Sequence, residues 1–214
     1  MLKVYGFPTT RTTRVTWMLE EIGAEYELEV VNLGASAHLS PEYLALNPMG
    51  KVPALGDGDL VISESAAICT YLGDRFPESG LVPPAGTPDR GRYEQWAHFV
   101  IGELEQPLWT IAKHKFALPK ERRVAGVVET ARWEFERPAA ALDEALAHGD
   151  FVLGDRFSAV DVLVGHTLSW ARKNLDSLGS ARVEIYADRV LARPALERAR
   201  EREAQAGREA GLDL

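Results

Sequence analysis

Apolar residues in the first part of the chain recur with two spacings that alternate. In residues 2–5 they occupy every second position, as in a short strand, whereas in residues 15–22 they recur every three or four positions, as in a helix. Gly23 follows as a helix stop, and residues 28–33 return to a strand pattern. Strand, helix and strand in this order predict a right-handed unit with two parallel strands.

The next stretch completes a small α/β pattern. Ser40 followed by Pro41 is an N-cap before a first-turn proline, so a short helix is predicted to begin there. Apolar runs at 52–55 and 60–62 flank a Gly-Asp-Gly-Asp turn, which favours a hairpin, and residues 65–76 have a helical pattern. The order β-α-β-α-β-β-α is typical of a thioredoxin-like domain.

Beyond this pattern the chain becomes helical. Prolines and glycines cluster just before residue 88, which indicates a linker. The predicted fold is therefore α/β plus all-α, with a thioredoxin-like domain at 1–80, a linker at 81–88 and an all-helical domain at 89–214. Two long helices are expected over about 89–117 and 120–146. A third helix is expected after a capping box from Ser158 to Asp161 and a last one from Pro194, with a tail that frays from about Arg200.

Composition and charge exclude several classes of function. The 214-residue chain carries 24 basic and 32 acidic residues, a net charge of −8, which argues against a nucleic-acid or anionic membrane surface. No apolar run approaches the roughly 20 residues of a membrane span, and the N-terminus is interpreted as a strand rather than a signal peptide. With one cysteine there is no disulfide framework and no CxxC pair. We expect a cytoplasmic protein.

Two short segments indicate what the small domain binds. Pro53 lacks an N–H, and a cis Val52-Pro53 bond would turn the backbone of Val52 outward, where an extended peptide can pair with it. The predicted helix that Ser65 opens, directly after Glu64, has free N–H groups and the positive end of its dipole at its start. Together the two segments predict a site for a small peptide that carries a carboxylate.

Five motifs in a fixed order resemble those of the cytosolic glutathione transferases over nearly the whole chain. They are Tyr5-Gly6-Phe7-Pro8 ahead of Arg14-Val15-x-Trp17, the Asn47-Pro48-x-Gly50-Lys51-Val52-Pro53 run, Glu64-Ser65 with Ala67-Ile68, the Phe157-Ser158-x-x-Asp161 box, and Ala192-Arg193-Pro194-Ala195. The pattern is similar to bacterial members and to the phi, theta and zeta classes. The resemblance implies a homodimer that uses glutathione as co-substrate and a small hydrophobic electrophile as substrate.

The resemblance also implies roles for residues of the small domain. Val52, beside Pro53, would pair with the central cysteine of glutathione through its backbone. Glu64 would hold the γ-glutamyl ammonium, and Ser65 the α-carboxylate at the helix N-terminus. Alternatively, Ser65 is a plain N-cap and Glu64 only complements the helix dipole. Candidates for the glycine carboxylate are His38 and Lys51.

Activation of the glutathione thiol requires a donor near the start of the first helix. A free cysteine thiol has a pKa of about 8.5, and only the thiolate attacks. The family uses tyrosine, serine or cysteine, whereas this segment offers threonines. Theta-, zeta- and phi-like patterns place the residue at Thr9, whereas a Ser-Arg-x-x-Arg pattern places it at Thr10, which we prefer because Arg11 and Arg14 match. The alternative is that the threonines only cap the helix.

The remaining candidates concern the second substrate and other chemistry. Cys69 is expected to be a buried small residue rather than a reactive thiol. Because the histidines lack ligand spacing, no metal site is predicted. The function predicted is a glutathione transferase; the alternatives are a glutathione-dependent isomerase or peroxidase and a non-catalytic binding or scaffold protein. Residues that could line the electrophile pocket are Trp109, His114 and Phe116.

Overall fold

Four short strands form one mixed sheet in the computed structural model, which describes residues 1–212. Their order in the sheet is β2-β1-β3-β4, with β2 parallel to β1 and the other neighbours antiparallel. This arrangement confirms the predicted thioredoxin-like unit. The strands are β1 (Leu2–Gly6), β2 (Tyr26–Val30), β3 (Ala54–Asp57) and β4 (Leu60–Ser63).

The second strand begins two residues before the predicted range 28–33 and ends three residues before its end. Asn32 explains the early end, because its side-chain oxygen accepts the N–H of Ala35 at 3.0 Å and its carbonyl accepts the N–H of Ala37 at 2.9 Å. An asparagine that bonds the backbone ahead of it favours a turn over an extended strand.

Three helices alternate with the strands in the predicted order; hydrophobic spacing predicts the first and third, and the Ser40-Pro41 cap the second. They are α1 (Thr12–Ile22), α2 (Pro41–Leu46) and α3 (Ser65–Arg75). α1 ends at Gly23 in the left-handed conformation, and the hydroxyl of Ser40 caps α2 by accepting the N–H of Tyr43 at 3.2 Å. The sheet and these helices enclose fully buried side chains that include Val4, Val15, Met18, Leu55, Ile68 and Leu72.

Contacts along the chain define two compact units. The first consists of Met1–Val82 together with the segment from Ala192, and the second of Pro83–Leu191. The domain division at 81–88 stays a prediction, but the last helix, expected in the helical domain, belongs by its contacts to the first unit. The helices beyond α3 are α4 (Pro88–Phe99), α5 (Gln106–Ala112), α6 (Val127–Ala145), α7 (Ala159–Ala171), α8 (Ala181–Leu191) and α9 (Pro194–Glu209).

The prediction of one helix over 89–117 is wrong in detail. A wider π-helical turn at Val100–Leu104 separates α4 from α5. A second one at Lys113–Ala117 follows the end of α5. Pro107 sits in the first turn of α5, where its missing N–H cannot continue an α-helical ladder. The second long helix begins at Val127 rather than at residue 120, because a short 3₁₀ turn occupies Lys120–Arg122.

The predicted fraying of the tail is wrong for residues 200–209, and residues 213–214 lie outside the described part of the chain. α9 continues to Glu209, and its buried positions Ala199, Glu203 and Gly207 recur every four residues on one face. This face packs against α1. Except for Glu203, the charged residues at 200–209 that suggested a frayed tail are exposed, and Arg202 forms an ion pair with Glu20. The helix therefore has a buried stripe despite its high charge.

The capping box of α7 forms as predicted and is fully buried. The carboxylate of Asp161 accepts hydrogen bonds from the N–H of Ser158 at 2.8 Å and from the hydroxyl of Ser158 at 2.9 Å. It also accepts the N–H of Val152 at 3.0 Å. The hydroxyl of Tyr186, on α8, donates to the same carboxylate at 2.7 Å. Burial raises the pKa of Asp161 despite these four donors. Asp161 therefore connects α7, α8 and the loop before α7.

Candidate functional site

One edge of the sheet brings together the segments that the sequence analysis selects. Ala54, at the start of β3, pairs with Tyr5 near the end of β1 and with Ser63 at the end of β4. The loop after β1, the loop before β3 and the segment after β4 therefore meet at this edge. α1 and α3 both begin there. In the described residues the first three N–H groups of α3, at the positive end of its dipole, have no hydrogen-bond partner, whereas those of α1 bond Thr10 and Arg11.

The loop before β3 is held by hydrogen bonds to a single carbonyl. The C=O of Lys51 accepts the hydroxyl of Tyr43 at 2.6 Å and the side-chain amide of Asn47 at 2.7 Å. Burial raises the pKa of Tyr43 to about 12, so its hydroxyl stays protonated and can donate. Gly50 has φ +59°, and a Cβ there would lie 3.0 Å from the carbonyl oxygen of His38. This contact explains the glycine in the motif.

The backbone of Val52 lies at the end of this loop. The Val52-Pro53 peptide bond is cis, as predicted. Within residues 1–212, neither the N–H nor the C=O of Val52 has a hydrogen-bond partner in the protein. Both groups are therefore available to an added extended segment.

The start of α3 combines an unusual backbone with a buried cation. Glu64 is exposed and has φ +70°, a conformation that non-glycine residues rarely adopt and that occurs preferentially at functional sites. Ser65, the first residue of α3, is 5% exposed, and its hydroxyl accepts a hydrogen bond of 3.2 Å from the guanidinium of Arg14. Arg14 is completely buried in α1. Its positive charge and the N-terminus of α3 together favour a bound carboxylate.

Sequence reasoning did not assign Arg14 to the carboxylate site and named it only as part of two family motifs. The signal available was an arginine within the apolar stripe of the first predicted helix, directly before Val15. An arginine at a core position is rarely buried without a partner. The partner, Ser65, lies 51 positions away and could be identified only from the fold.

The turn between β1 and α1 gives its two candidate threonines different environments. The hydroxyl of Thr10 donates to the carbonyl of Phe7 at 2.6 Å, accepts the N–H of Thr12 at 3.2 Å and lies 3.0 Å from the hydroxyl of Thr12. The side chain of Thr9 is exposed, and its hydroxyl has no protein partner in the described chain. Thr10 thus fills the capping role considered above, whereas Thr9 leaves a hydroxyl open.

A further residue at this turn was not found from the sequence. Thr9 has φ +62°, and its N–H donates to the carboxylate of Glu203 on α9 at 3.0 Å. Glu203 is 2% exposed. The signal in the sequence was weak, because Glu203 lies within a strongly charged segment that predicts a solvated tail.

The two candidates for the glycine carboxylate differ in burial. Nδ1 of His38 is buried, and the described residues offer it no hydrogen-bond partner. The side chain of Lys51 is exposed. His38 lies in a 3₁₀ turn, Ala37–Leu39, whose backbone contacts the Gly50 position, so both residues border the loop before β3.

The candidates for the electrophile pocket lie in the second unit. Trp109 is on α5, and His114 and Phe116 are in the π-helical turn that follows it. Nδ1 of His114 accepts the N–H of Val124 at 3.0 Å, and Phe116 is 64% exposed. Their role as pocket residues stays a prediction. In the described residues no cluster of His, Cys, Asp or Glu could hold a metal ion, and no helix is long and apolar enough to span a membrane.

Cys69 is a buried structural residue, as expected. Its side chain on α3 is fully buried and points its thiol at the carbonyl of Arg14, at 3.7 Å. Burial raises the pKa of this thiol to about 12. A nucleophilic role for the protein's own cysteine is therefore not supported.

We expect Cys69 to resist thiol reagents in the native protein. Because the thiol must leave the core before it reacts, its modification by an aromatic disulfide reagent at pH 8 should be slower than in denaturant by a factor of about 10³ or more. The release of the coloured thiol measures both rates. The unfolded protein in guanidinium chloride is the control, and stoichiometric reaction within minutes in native buffer would contradict this account.

Comparison with known proteins places both units in one family. Residues 1–74 match the model of the glutathione S-transferase N-terminal domain, and residues 125–202 match that of the C-terminal domain. Glutathione S-transferase 3 of Zea mays is 30% identical over 214 aligned residues, which cover 92% of each chain. A disulfide-bond oxidoreductase of Escherichia coli K12 is 28% identical and covers 91% of this chain and 92% of its own.

A solved structure agrees with these matches. A sphingomonad glutathione S-transferase complexed with glutathione superposes with a TM-score of 0.82 at 29% identity, over 94% of this chain and 98% of the other. The four-stranded mixed sheet, the helical second unit and the order of the motifs all agree with this likeness. The chain belongs to the glutathione S-transferase family.

Proposed function

We propose that this protein binds glutathione at the sheet edge formed by β1, β3 and β4 and activates its thiol for attack on a small electrophile. The observation that supports this most is the position of the unpaired Val52 backbone at the same edge as the N-terminus of α3, where Arg14 is buried beside Ser65. A tripeptide with a carboxylate at one end complements both features. The glutathione held by the sphingomonad relative supports the same assignment.

Glutathione would lie extended across this edge. The backbone of Val52, with Pro53 beside it, pairs with the central cysteine of glutathione through two hydrogen bonds. The γ-glutamyl α-carboxylate accepts from the N–H and hydroxyl of Ser65, and Glu64 receives its ammonium. The glycine carboxylate then faces the opposite side of the loop, where the candidates are His38 and Lys51.

We assign thiol activation to Thr9 rather than to Thr10. The proton of the Thr10 hydroxyl is committed to the carbonyl of Phe7, so donation to a sulfur would require that short bond to break. The hydroxyl of Thr9 is exposed and has no competing partner in the described chain. A hydrogen bond to the anionic sulfur stabilises the thiolate more than the thiol, which lowers the thiol pKa.

The chemical step follows from an activated thiolate. The thiol proton leaves to solvent, and the sulfur lone pair forms a bond to the electrophilic carbon. The leaving group departs with the electron pair of its own bond. The residues proposed to contact the electrophile are Trp109, His114 and Phe116. We expect the active form to be a homodimer.

A second candidate is the reduction of small disulfides by glutathione, which the Escherichia coli relative favours. Because Cys69 is buried and its thiol pKa is raised, the attacking thiolate would be that of bound glutathione. It attacks one sulfur of the disulfide, forms a mixed disulfide with glutathione, and releases the other sulfur as a thiolate. Turnover of a low-molecular-weight disulfide, compared with that of a chlorinated nitrobenzene, separates the two activities.

Replacement of Ser65 by alanine tests the binding site. The change removes the hydroxyl proposed to hold the carboxylate and takes an acceptor from Arg14, so Kd for glutathione should rise about tenfold, as expected for one charge-assisted hydrogen bond. Calorimetry and retention on immobilised glutathione, with release by free glutathione, measure this. Thr70→Ala removes one hydroxyl from the same helix, where it bonds the carbonyl of Ala66, and should leave Kd unchanged.

The same binding assay separates the proposed enzyme from a scaffold protein. If the unmodified protein does not bind glutathione at millimolar concentration, the scaffold alternative is correct and the proposal is wrong. Binding without turnover of either substrate would point to a non-catalytic glutathione-binding protein. Turnover in which glutathione is returned unchanged would point to an isomerase.

A further inference from the structure

We propose that Glu203 is a positioning residue for the β1–α1 turn (residues 7–11), and that through this turn it sets the pKa of the bound glutathione thiol. The inference rests on the proposed function of Thr9. Glu203 lies on α9, 194 positions from Thr9 along the chain, and within the same compact unit.

The carboxylate of Glu203 is fully satisfied by one short stretch of chain. Oε2 accepts the backbone N–H of Thr9 at 3.0 Å and the hydroxyl of Thr13 at 3.0 Å. Oε1 accepts the hydroxyl of Thr16 at 2.7 Å. One buried side chain of α9 thus connects the turn to the first two turns of α1.

The hydrogen bond from the Thr9 N–H to Glu203 holds Thr9 in a left-handed backbone conformation that threonine rarely adopts. Thr9 is β-branched and adopts φ +62°, where such residues rarely occur. In the described chain the side chain of Thr9 has no hydrogen-bond partner, so its N–H bond to Glu203 is its one hydrogen-bonded anchor. The direction in which the Thr9 hydroxyl points therefore depends on the position of this carboxylate.

α9 presents Glu203 from a fixed position. The guanidinium of Arg193 forms two hydrogen bonds to Glu21 on α1, with N···O distances of 2.5 and 2.7 Å. Arg202 donates to the carbonyl of Tyr26 at 2.8 Å and stacks over the ring of that residue. These contacts join α9 to α1 and to the start of β2, so the acceptor for Thr9 is held by a packed helix rather than by a loop.

A packing role alone does not account for a carboxylate at this position. Burial raises the pKa of Glu203 even though three donors and Arg200 lower it, which means that removal of this group from water is costly. An apolar side chain of similar length fills the same space without that cost. What it cannot supply is an acceptor for the N–H of Thr9.

The test compares Glu203→Leu with Glu203→Gln, and uses Glu201→Leu, at an exposed position of the same helix, as the control. The thiol pKa of bound glutathione is measured from the pH dependence of thiolate absorbance. The value of kcat/KM is measured with a chlorinated nitrobenzene as substrate. Glu203→Leu should raise the thiol pKa by about one unit, which corresponds to about 1.4 kcal/mol, and lower kcat/KM about tenfold near neutral pH. Kd for glutathione should stay within about twofold, because Val52 and Ser65 are untouched.

Glu203→Gln should keep the thiol pKa and kcat/KM close to those of the unmodified protein. Its amide oxygen can accept from Thr9 and Thr13, while its NH₂ faces Thr16, whose hydroxyl can turn to the carbonyls of Thr12 and Thr13 at 3.4 and 3.3 Å. A purely structural role would give losses of stability in both variants without a shift in the thiol pKa. If Glu203→Leu does not fold, Glu203→Asp keeps the charge and withdraws the acceptor, and it should shift the thiol pKa in the same direction.

Thr9→Val separates a failure of the inference from a failure of the proposed function. If Thr9→Val raises the thiol pKa and neither Glu203→Leu nor Glu203→Asp does, Glu203 does not position the turn and the inference is overturned while the function stands. If Thr9→Val also leaves the thiol pKa unchanged, the assignment of Thr9 is wrong and the inference falls with it.

Discussion

Replacement of Asp161 by alanine is expected to lower the free energy of unfolding by about 3–5 kcal/mol, the upper range for a single substitution, because it breaks a buried hydrogen-bond network. The substitution leaves the N–H of Val152, the N–H and hydroxyl of Ser158, and the hydroxyl of Tyr186 buried without their acceptor. Each such group carries its own desolvation cost, and the helix loses its N-terminal cap at the same time.

Urea denaturation followed by circular dichroism measures this effect. Asp155→Ala, at an exposed position in the loop before α7, is the matched control and should change stability by no more than about 0.5 kcal/mol. The stability of Asp161→Asn should lie between those of the other two variants, because an amide keeps one acceptor oxygen and introduces a donor that faces other donors. A midpoint for Asp161→Ala equal to that of the control would show that the network does not stabilise the fold.

The architecture followed from hydrophobic spacing because its elements are short and marked at their ends. Gly23, Ser40 and the Ser158 box each place a helix boundary through local chemistry, and the structure has each of them. The interruption of the long helix at Val100–Leu104 has only Pro107, a few residues further on, as a marker. A single π-helical turn adds one residue to a turn of helix without a cap residue of its own, so it has no direct sign in the sequence.

The part of the candidate site proposed to bind glutathione could be predicted from sequence for a similar reason. The proposed roles of Val52-Pro53 and Glu64-Ser65 depend mainly on backbone and helix geometry, which the motif determines locally. Arg14 and Glu203 contact partners 51 and 187–194 positions away, and these contacts exist only once the helices pack. Glu203 was harder still, because a charged segment predicts a solvated tail and gives no sign of one buried carboxylate on its inner face.

Alignment of motifs could not choose between Thr9 and Thr10, because the choice depends on the conformation of the turn. The left-handed backbone at Thr9 directs consecutive side chains to different environments. One hydroxyl bonds Phe7 and Thr12 inside the turn, while the other stays exposed. The pattern with arginines at 11 and 14 favoured Thr10, whereas the hydrogen bonds favour Thr9 as the free donor.

Substitution of Thr9 by valine is therefore expected to raise the thiol pKa of bound glutathione by about one to two units, the equivalent of one hydrogen bond to a charged sulfur. Conjugation of a chlorinated nitrobenzene near neutral pH should fall about 10- to 100-fold, because the thiolate fraction falls tenfold for each unit. Valine keeps the branching of threonine, so it adds no new backbone strain at φ +62°. Thr9→Ser should retain activity.

Thr10→Val is the matched comparison at the neighbouring position. It removes the partner of the Phe7 carbonyl and of the Thr12 N–H, so it should lower the free energy of unfolding by about 1–2 kcal/mol and leave the thiol pKa unchanged. Thiolate absorbance as a function of pH, with thermal unfolding of each variant, measures both effects. The opposite pattern, a raised thiol pKa in Thr10→Val and an unchanged one in Thr9→Val, would mean that glutathione breaks the bond to Phe7 and takes its hydrogen bond from Thr10.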